Sequence, residues 1–345
     1  MANYTTINKG TDHFNTILYV ADQVDGRNIT GVGFQPDWVW IHNRTQSVNS
    51  MVYDAVRGVT KDLVTNSTLA QATSTDGLQA FIADGFTHGN GWGNQTTGDN
   101  YVAWNWKANG AGSSNSNGSI ASTVSANTTA GFSIVKWAGS GANATIGHGL
   151  GAAPEMVVTK SLGTSSWGVY HKGLGNTNVL FWDNYGVTSA NVAYWNNTSP
   201  TSTVFSVGTD SAVNHSGNDM IAYCFRSIRG YSKIGTYKGN GLADGPSVYT
   251  GFKPAMMFFK RTSGAVANWQ MWDNKRDPDN PVENAYHIDS NNADGSADQD
   301  IDFLSTGFKI RSNQGHLNND GNVFVYYAVA EEALVGTNKV CSTAR

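Results

Sequence analysis

Charge is the first thing this sequence is short of. Only 14% of its 345 residues are Asp, Glu, Lys or Arg, against about 25% in an ordinary globular chain. The formal net charge is −4, and no cluster of Lys and Arg could neutralise a run of phosphates, which argues against a nucleic-acid partner. Cysteine is scarce too: two residues exclude a disulfide framework, and neither has the neighbours of a zinc site. Cys224 sits inside the apolar run Met220-Ile-Ala-Tyr-Cys-Phe225 and reads as a buried thiol, while Cys341 in the C-terminal tail carries no signal. No stretch approaches the roughly 20 continuous apolar residues of a membrane helix, so no membrane partner is expected. The opening Met-Ala-Asn-Tyr-Thr-Thr lacks the basic and apolar regions of a signal peptide, and the expectation is a protein that is not secreted by the usual route. Heptad runs are missing, which argues against a coiled coil.

What is present in excess is glycine, at 39 residues, with Ser, Thr and Asn, and an 11% share of aromatics. The aromatics return in a pattern repeated three times. Its copies open at Phe14-Asn-Thr-Ile-Leu-Tyr19, Phe132-Ser-Ile-Val-Lys-Trp137 and Tyr231-Ser-Lys-Ile-Gly-Thr-Tyr237, and each then reaches a proline, Pro36, Pro154 or Pro254. From that proline to Tyr53, Tyr170 and Trp272 the offsets are 17, 16 and 18 residues, and to Phe86, Phe205 and Phe308 they are 50, 51 and 54. From those phenylalanines to Tyr101, Met220 and Val323, which start closing strands, the offset is 15 each time.

Between these landmarks lie short β-branched and aromatic runs bounded by Gly, Asn, Asp and Pro, the composition of strands joined by tight turns. The reading is all-β: three tandem antiparallel β-sandwich domains of jelly-roll or concanavalin-like type, each of about 100 residues. The first repeat and a short N-terminal segment fill 1–110, a Gly/Ser/Asn linker fills 111–130, the second repeat 131–230, and the third, with a C-terminal tail, 231–345. Asn109-Gly-Ala-Gly-Ser-Ser-Asn-Ser-Asn-Gly118 is flexible by composition, whereas Arg229-Gly230-Tyr231 has no spacer. Trp38 and Trp40 share a strand face by spacing, as do Trp104 and Trp106, and read as the packed face of half-buried strands.

Chemistry needs particular residues converging, and few candidates emerge. After the landmark aromatic the copies carry Asp54, His171 and Asp273, followed three residues on by Arg57, Leu174 and Arg276. An Asp and Arg kept in two copies and replaced together in the third read as structural ion pairs, Asp54 with Arg57 and Asp273 with Arg276. The acidic stretch from Asp289 to Asp302 offers a calcium loop through Asp294, Asp298 and Asp300, but misses the known ligand spacing, so a solvated loop is the preferred reading and no metal is assigned. The histidines are scattered, no phosphate-binding loop is present, and no cofactor or catalytic residue is assigned. Trp92 and Trp195 stand among turn residues and are the candidate exposed ligand contacts, suited to stacking on a sugar.

Gly33-Phe-Gln-Pro-Asp-Trp-Val-Trp-Ile41, Tyr53-Asp-Ala-Val-Arg-Gly58, Gly85-Phe86 and Tyr101-Val-Ala-Trp-Asn-Trp-Lys107 together resemble a β-sandwich domain found in structural proteins of marine tailed phages. That domain is similar in turn to the concanavalin-like class. The third copy keeps Gly-Phe-Lys-Pro254, Trp272-Asp273, Arg276 and Gly307-Phe308; the second departs most. The resemblance implies a non-enzymatic structural protein on the virion surface, assembled in the bacterial cytoplasm. A tail fibre or receptor-binding appendage, presenting loops to a host-surface glycan or protein, is the first expectation. A capsid decoration or head-fibre protein is the second, and a glycan-processing enzyme the third. Partners would be other tail or capsid proteins, and the expected assembly is a homo-oligomer, a trimer by analogy with phage appendages.

Overall fold

Glycines and prolines cut the chain into runs too short for anything but strands and single helical turns. The computed structural model describes residues 5–184, 186, 188–295 and 300–332. The protein is all-β, and its paired strands run antiparallel in several sheets.

The first unit holds β1 (Phe14–Val20), β2 (Arg27–Thr30), β3 (Trp38–Asn43), β4 (Met51–Asp54), β5 (Lys61–Val64), β6 (Ala72–Thr73), β7 (Leu78–Ile82), β8 (Gly85–His88) and β9 (Asn100–Trp106). Its large sheet has the order β1-β9-β3-β4-β5-β6 and its small sheet β2-β8-β7. The second unit holds β10 (Ser113–Asn115), β11 (Ser122–Asn127), β12 (Phe132–Ala138), β13 (Ala144–Gly147), β14 (Met156–Ser161), β15 (Trp167–His171), β16 (Asn178–Phe181), β17 (Ser189–Ala190), β18 (Val204–Val207) and β19 (Asp219–Phe225). Here the large sheet runs β10-β11-β12-β19-β14-β15-β16-β17, and β13 pairs with β18. The third holds β20 (Ser232–Lys238), β21 (Ser247–Tyr249), β22 (Pro254–Arg261), β23 (Gln270–Asp273), β24 (Tyr286–His287), β25 (Ile301–Leu304), β26 (Gly307–Ile310) and β27 (Val323–Ala330), ordered β20-β27-β22-β23-β24 and β21-β26-β25. In each large sheet the opening strand lies beside the closing strand, which lies beside the strand that follows the proline.

Register makes the equivalence exact to the residue and corrects one spacing. Tyr19 faces Tyr101, Trp137 faces Met220, and Tyr237 faces Phe324. The third equivalent of Tyr101 is therefore Phe324, one residue beyond the Val323 that constant spacing indicates. A bulge between Pro254 and Met256 adjusts the neighbouring strand to match.

Two expectations are overturned. Residues 111–130 are not a flexible linker: β10 and β11 add two strands to the outer edge of β12, with Asn127 opposite Phe132 and Ser122 opposite Trp137. Low hydrophobicity hid this, because an added strand needs backbone groups rather than apolar side chains to pair. Nor are the central strands half-buried. Val39, Ile41, Tyr53, Tyr101 and Ala103 face their own small sheet, packing with Ile29, Leu78 and Phe86. Trp38, Trp40, Trp104 and Trp106 face the other way, into a core shared with Tyr223 and Phe225 of the second unit and Phe258 and Tyr327 of the third. Trp38 stacks on Tyr223 at 4.4 Å between ring centroids, and Phe225 meets Tyr327 at 5.0 Å. Strands covered on both faces need apolar side chains at every position, which is why Trp38-Val-Trp-Ile41 and Met256-Met-Phe-Phe259 are continuous.

Candidate functional site

The ion-pair positions lie where the units meet. Arg57 Nε is 2.5 Å from Asp54 Oδ2, and Arg276 Nε is 2.5 Å from Asp273 Oδ2, with all four side chains buried. Each aspartate also caps its own turn: Asp54 Oδ1 accepts from the amides of Val56 and Arg57, and Asp273 Oδ1 from those of Lys275 and Arg276. In the second unit His171 does the same through Nδ1, which accepts from the Gly173 amide at 3.0 Å. Nε2 therefore carries the proton, and it lies 3.3 Å from the Tyr326 carbonyl of the third unit. Burial depresses the His171 pKa to about 4, so the ring is neutral at neutral pH.

These positions link the units in a ring. Tyr223 of the second unit donates to Asp54 of the first at 2.8 Å, and Trp104 of the first donates to Asp273 of the third at 3.1 Å. The His171 contact joins second to third. An outer set repeats the order: Trp167 Nε1 donates to the Val64 carbonyl at 3.0 Å, and Trp269 Nε1 to the Phe181 carbonyl at 2.7 Å. The first and third units are further joined by Asp294, whose carboxylate is 2.8 Å from Arg276 Nη1, 2.7 Å from Arg44 Nε and 3.4 Å from His42 Nε2. Burial works to raise the pKa of Asp294, but Arg276, His42 and Arg44 outweigh it and hold the carboxyl well below the usual range.

Asp294 is thus an ion-pair hub rather than part of a solvated loop; sequence spacing could not show it, since its cations come from 18 and some 250 residues away. Asp298 lies outside the described residues, and the Asp300 carbonyl accepts from the Arg311 amide. Among the described residues no three His, Cys, Asp or Glu side chains are grouped as metal ligands.

Trp195 is not an exposed contact. It is 2% exposed, donates from Nε1 to the Asn178 carbonyl at 3.1 Å and packs edge-on against Tyr170. The turn residues around it form a single helical turn, Val192–Trp195, capped by the Asn191 side chain, and that turn folds the indole inward. Trp92 is half-buried against the core of the first unit. Cys224 is buried, and burial pushes its thiol pKa up.

A further set went unnoticed in the sequence. His42, Lys160 and Lys260 each stand six residues after the repeat's proline, and all are fully buried. Lys160 Nζ donates to the carbonyls of Ser161 and Gly163 at 2.7 and 3.0 Å, and Lys260 Nζ to that of Ala267. Burial lowers both lysine pKa values to about 8. Two serines meet a histidine at hydrogen-bond distance: Ser161 Oγ is 2.8 Å from His215 Nδ1, and the buried Ser50 Oγ is 3.0 Å from Nδ1 of His42, the ring whose Nε2 faces Asp294. The Ser161 hydroxyl is buried and also accepts from the Gly163 amide at 3.0 Å, which closes a turn. Between the second and third units a cleft of about 340 Å³ opens to solvent, lined by Glu155, Lys172, Ser227, Lys233 and Thr236.

Compared with known families, one model matches residues 9–333, through all three repeats: the domain of unknown function DUF7483. The chain belongs to that family. The DUF7483 match therefore takes in the whole ring of units rather than one repeat. No curated protein gives a significant match.

Proposed function

We propose that this DUF7483 protein is a non-catalytic structural protein displayed on the surface of a bacteriophage particle, as a tail fibre or receptor-binding appendage built from three fused β-sandwich domains of the jelly-roll or concanavalin-like type. The observation that carries the reading is where the polar groups go. Asp54, Arg57, His171, Asp273, Arg276 and Asp294 have buried side chains and lie in the network that ties one unit to the next. A body clamped at every internal junction, with a low-charge surface rich in hydroxyls and amides, suits a rigid support that presents loops to a host-surface glycan or protein. The phage assignment itself rests on the resemblance of the first repeat.

A second reading, a capsid decoration protein, is favoured by the ring. Three similar units joined in cyclic order within one chain reproduce the form of a trimer without oligomerisation, and such a body fits a threefold position on a lattice. Imaging of purified particles at a resolution that counts copies of this chain tests both. A few copies at the tail support the appendage, many copies over the capsid replace it with decoration, and absence from the particle removes both.

A further inference from the structure

Where the first unit passes to the second, the chain fills the crevice between them with its own backbone. Asp37, one residue after Pro36, accepts from the amides of Ala108 and Gly110 at 2.7 and 3.1 Å. The same segment continues into β10 and β11, and β11 takes the open edge of β12. The equivalent groups at the next junction are Glu155, one residue after Pro154, and the edge of β20. Here the connection between closing and opening strands is only six residues, 226–231, too short to repeat the excursion.

The consequence is the open cleft. Glu155 holds Ser227 Oγ at 2.5 Å on one oxygen and the exposed Lys172 ammonium at 3.3 Å on the other, where Asp37 holds two backbone amides. Among the described residues no strand pairs with the outer edge of β20. Strands in this sheet alternate their hydrogen-bonding direction: the Tyr231 carbonyl accepts from Ala330 and the Gly239 amide donates to Asn322, so Ser232, Ile234, Thr236 and Lys238 face the outer edge. Ser232 is taken there by Ile228 and the Ile234 amide by Ser227 Oγ, which leaves the edge at Thr236 and Lys238 for an added strand. The third junction offers no such site, since Ala255 replaces the carboxylate.

We infer that the cleft between the second and third units is a strand-addition site for an extended acidic peptide of a partner protein, which pairs antiparallel with β20 and places a backbone amide on Glu155. Segment 108–127 supplies the template on the neighbouring unit for such an occupant. The acidic character follows from the lining, where two lysines, Lys172 and Lys233, stand against one carboxylate, Glu155, which already holds Ser227 and Lys172. Main-chain pairing gives affinity and the lysines select charge. This inference stands whether or not the particle assignment does.

The test uses the full chain and two fluorescent peptides, one copying residues 108–127 and one with three aspartates added at its C-terminal end, which antiparallel pairing brings toward Lys233. Anisotropy titration should show the acidic peptide binding at least fivefold tighter. Lys233→Glu should reverse that preference. Thr236→Pro, which removes an outward amide without touching the bonds to β27, should weaken binding at least tenfold. Should that variant not fold, an acidic peptide N-methylated at alternate amides, titrated against the unaltered protein, reads the same loss. Binding indifferent to N-methylation, or none at millimolar peptide, overturns the inference.

Discussion

The Asp and Arg positions show how one side-chain site can be filled in two chemically unlike ways. Asp54 is bonded to Arg57 and Tyr223, and removing either member of the buried pair strands the other's charge, which costs about 3–5 kcal/mol. The second unit carries His171 and Leu174 at these places and caps its turn through a neutral ring. Converting the first unit to that pair is therefore a natural experiment. Arg57→Leu and Asp54→His should each lower unfolding free energy in urea by about 3–5 kcal/mol, and the double variant by less than either, which requires a coupling of about 3 kcal/mol or more. Additive losses would show that the pair is not the unit of exchange. This pair was legible in the sequence because both members lie three residues apart in two copies. Asp294 was not, since nothing local marks a carboxylate whose partners come from another repeat, and Trp195 was misplaced because a four-residue helical turn looks like a loop.

At the scale of strands, continuous apolar runs were visible and alternation was read into them; burial on both faces is what Met256-Met-Phe-Phe259 records. Lys160 and Lys260 each stand one residue before the end of their strands, β14 and β22, where the ammonium reaches the carbonyls of its own hairpin loop. Lys160 and Lys260 would lose their protons near 10.5 when exposed, but near 8 when folded, because burial disfavours the charge. Between those values the unfolded chain holds protons that the folded chain has released, so stability rises with pH across that window and is lowest, as far as these groups go, below 8. The rise should be on the order of 3 kcal/mol per lysine in denaturation measured from pH 7.5 to 10.5. Lys160→Met and Lys260→Met should flatten it and be no less stable than the parent at pH 7, because the ammonium's desolvation is removed along with its bonds. A slope unchanged in the double variant would mean that the lysines are not the titrating groups.

For the molecule as a whole, the shared core decides whether three repeats are three folding units. Trp38, Trp40, Trp104 and Trp106 are each at most 1% exposed, and all four face the other units. An indole buries some 150–250 Å², so at about 25 cal/mol per Å² the four together contribute roughly 15–25 kcal/mol of burial, of which a separated first unit would keep the part made among its own rings and forfeit the part that meets the other units. Even half of that total matches the roughly 5–15 kcal/mol by which a domain is usually stable. Residues 1–110 alone should therefore fail to hold a native fold, exposing apolar surface or aggregating, although the repeat has its own small sheet and satellite core. The intact chain should melt in one calorimetric transition whose enthalpy matches its van't Hoff value, because no unit can leave the ring without uncovering the inner faces of the other two. Separate transitions, or a soluble 1–110 fragment with native near-ultraviolet circular dichroism, would return the molecule to three independent sandwiches on a string. The landmark spacing was legible in the sequence apart from Val323, one residue short of Phe324; the closure of the units on one another was not, because the face a strand turns outward reads the same whether it meets solvent-covering side chains or another unit.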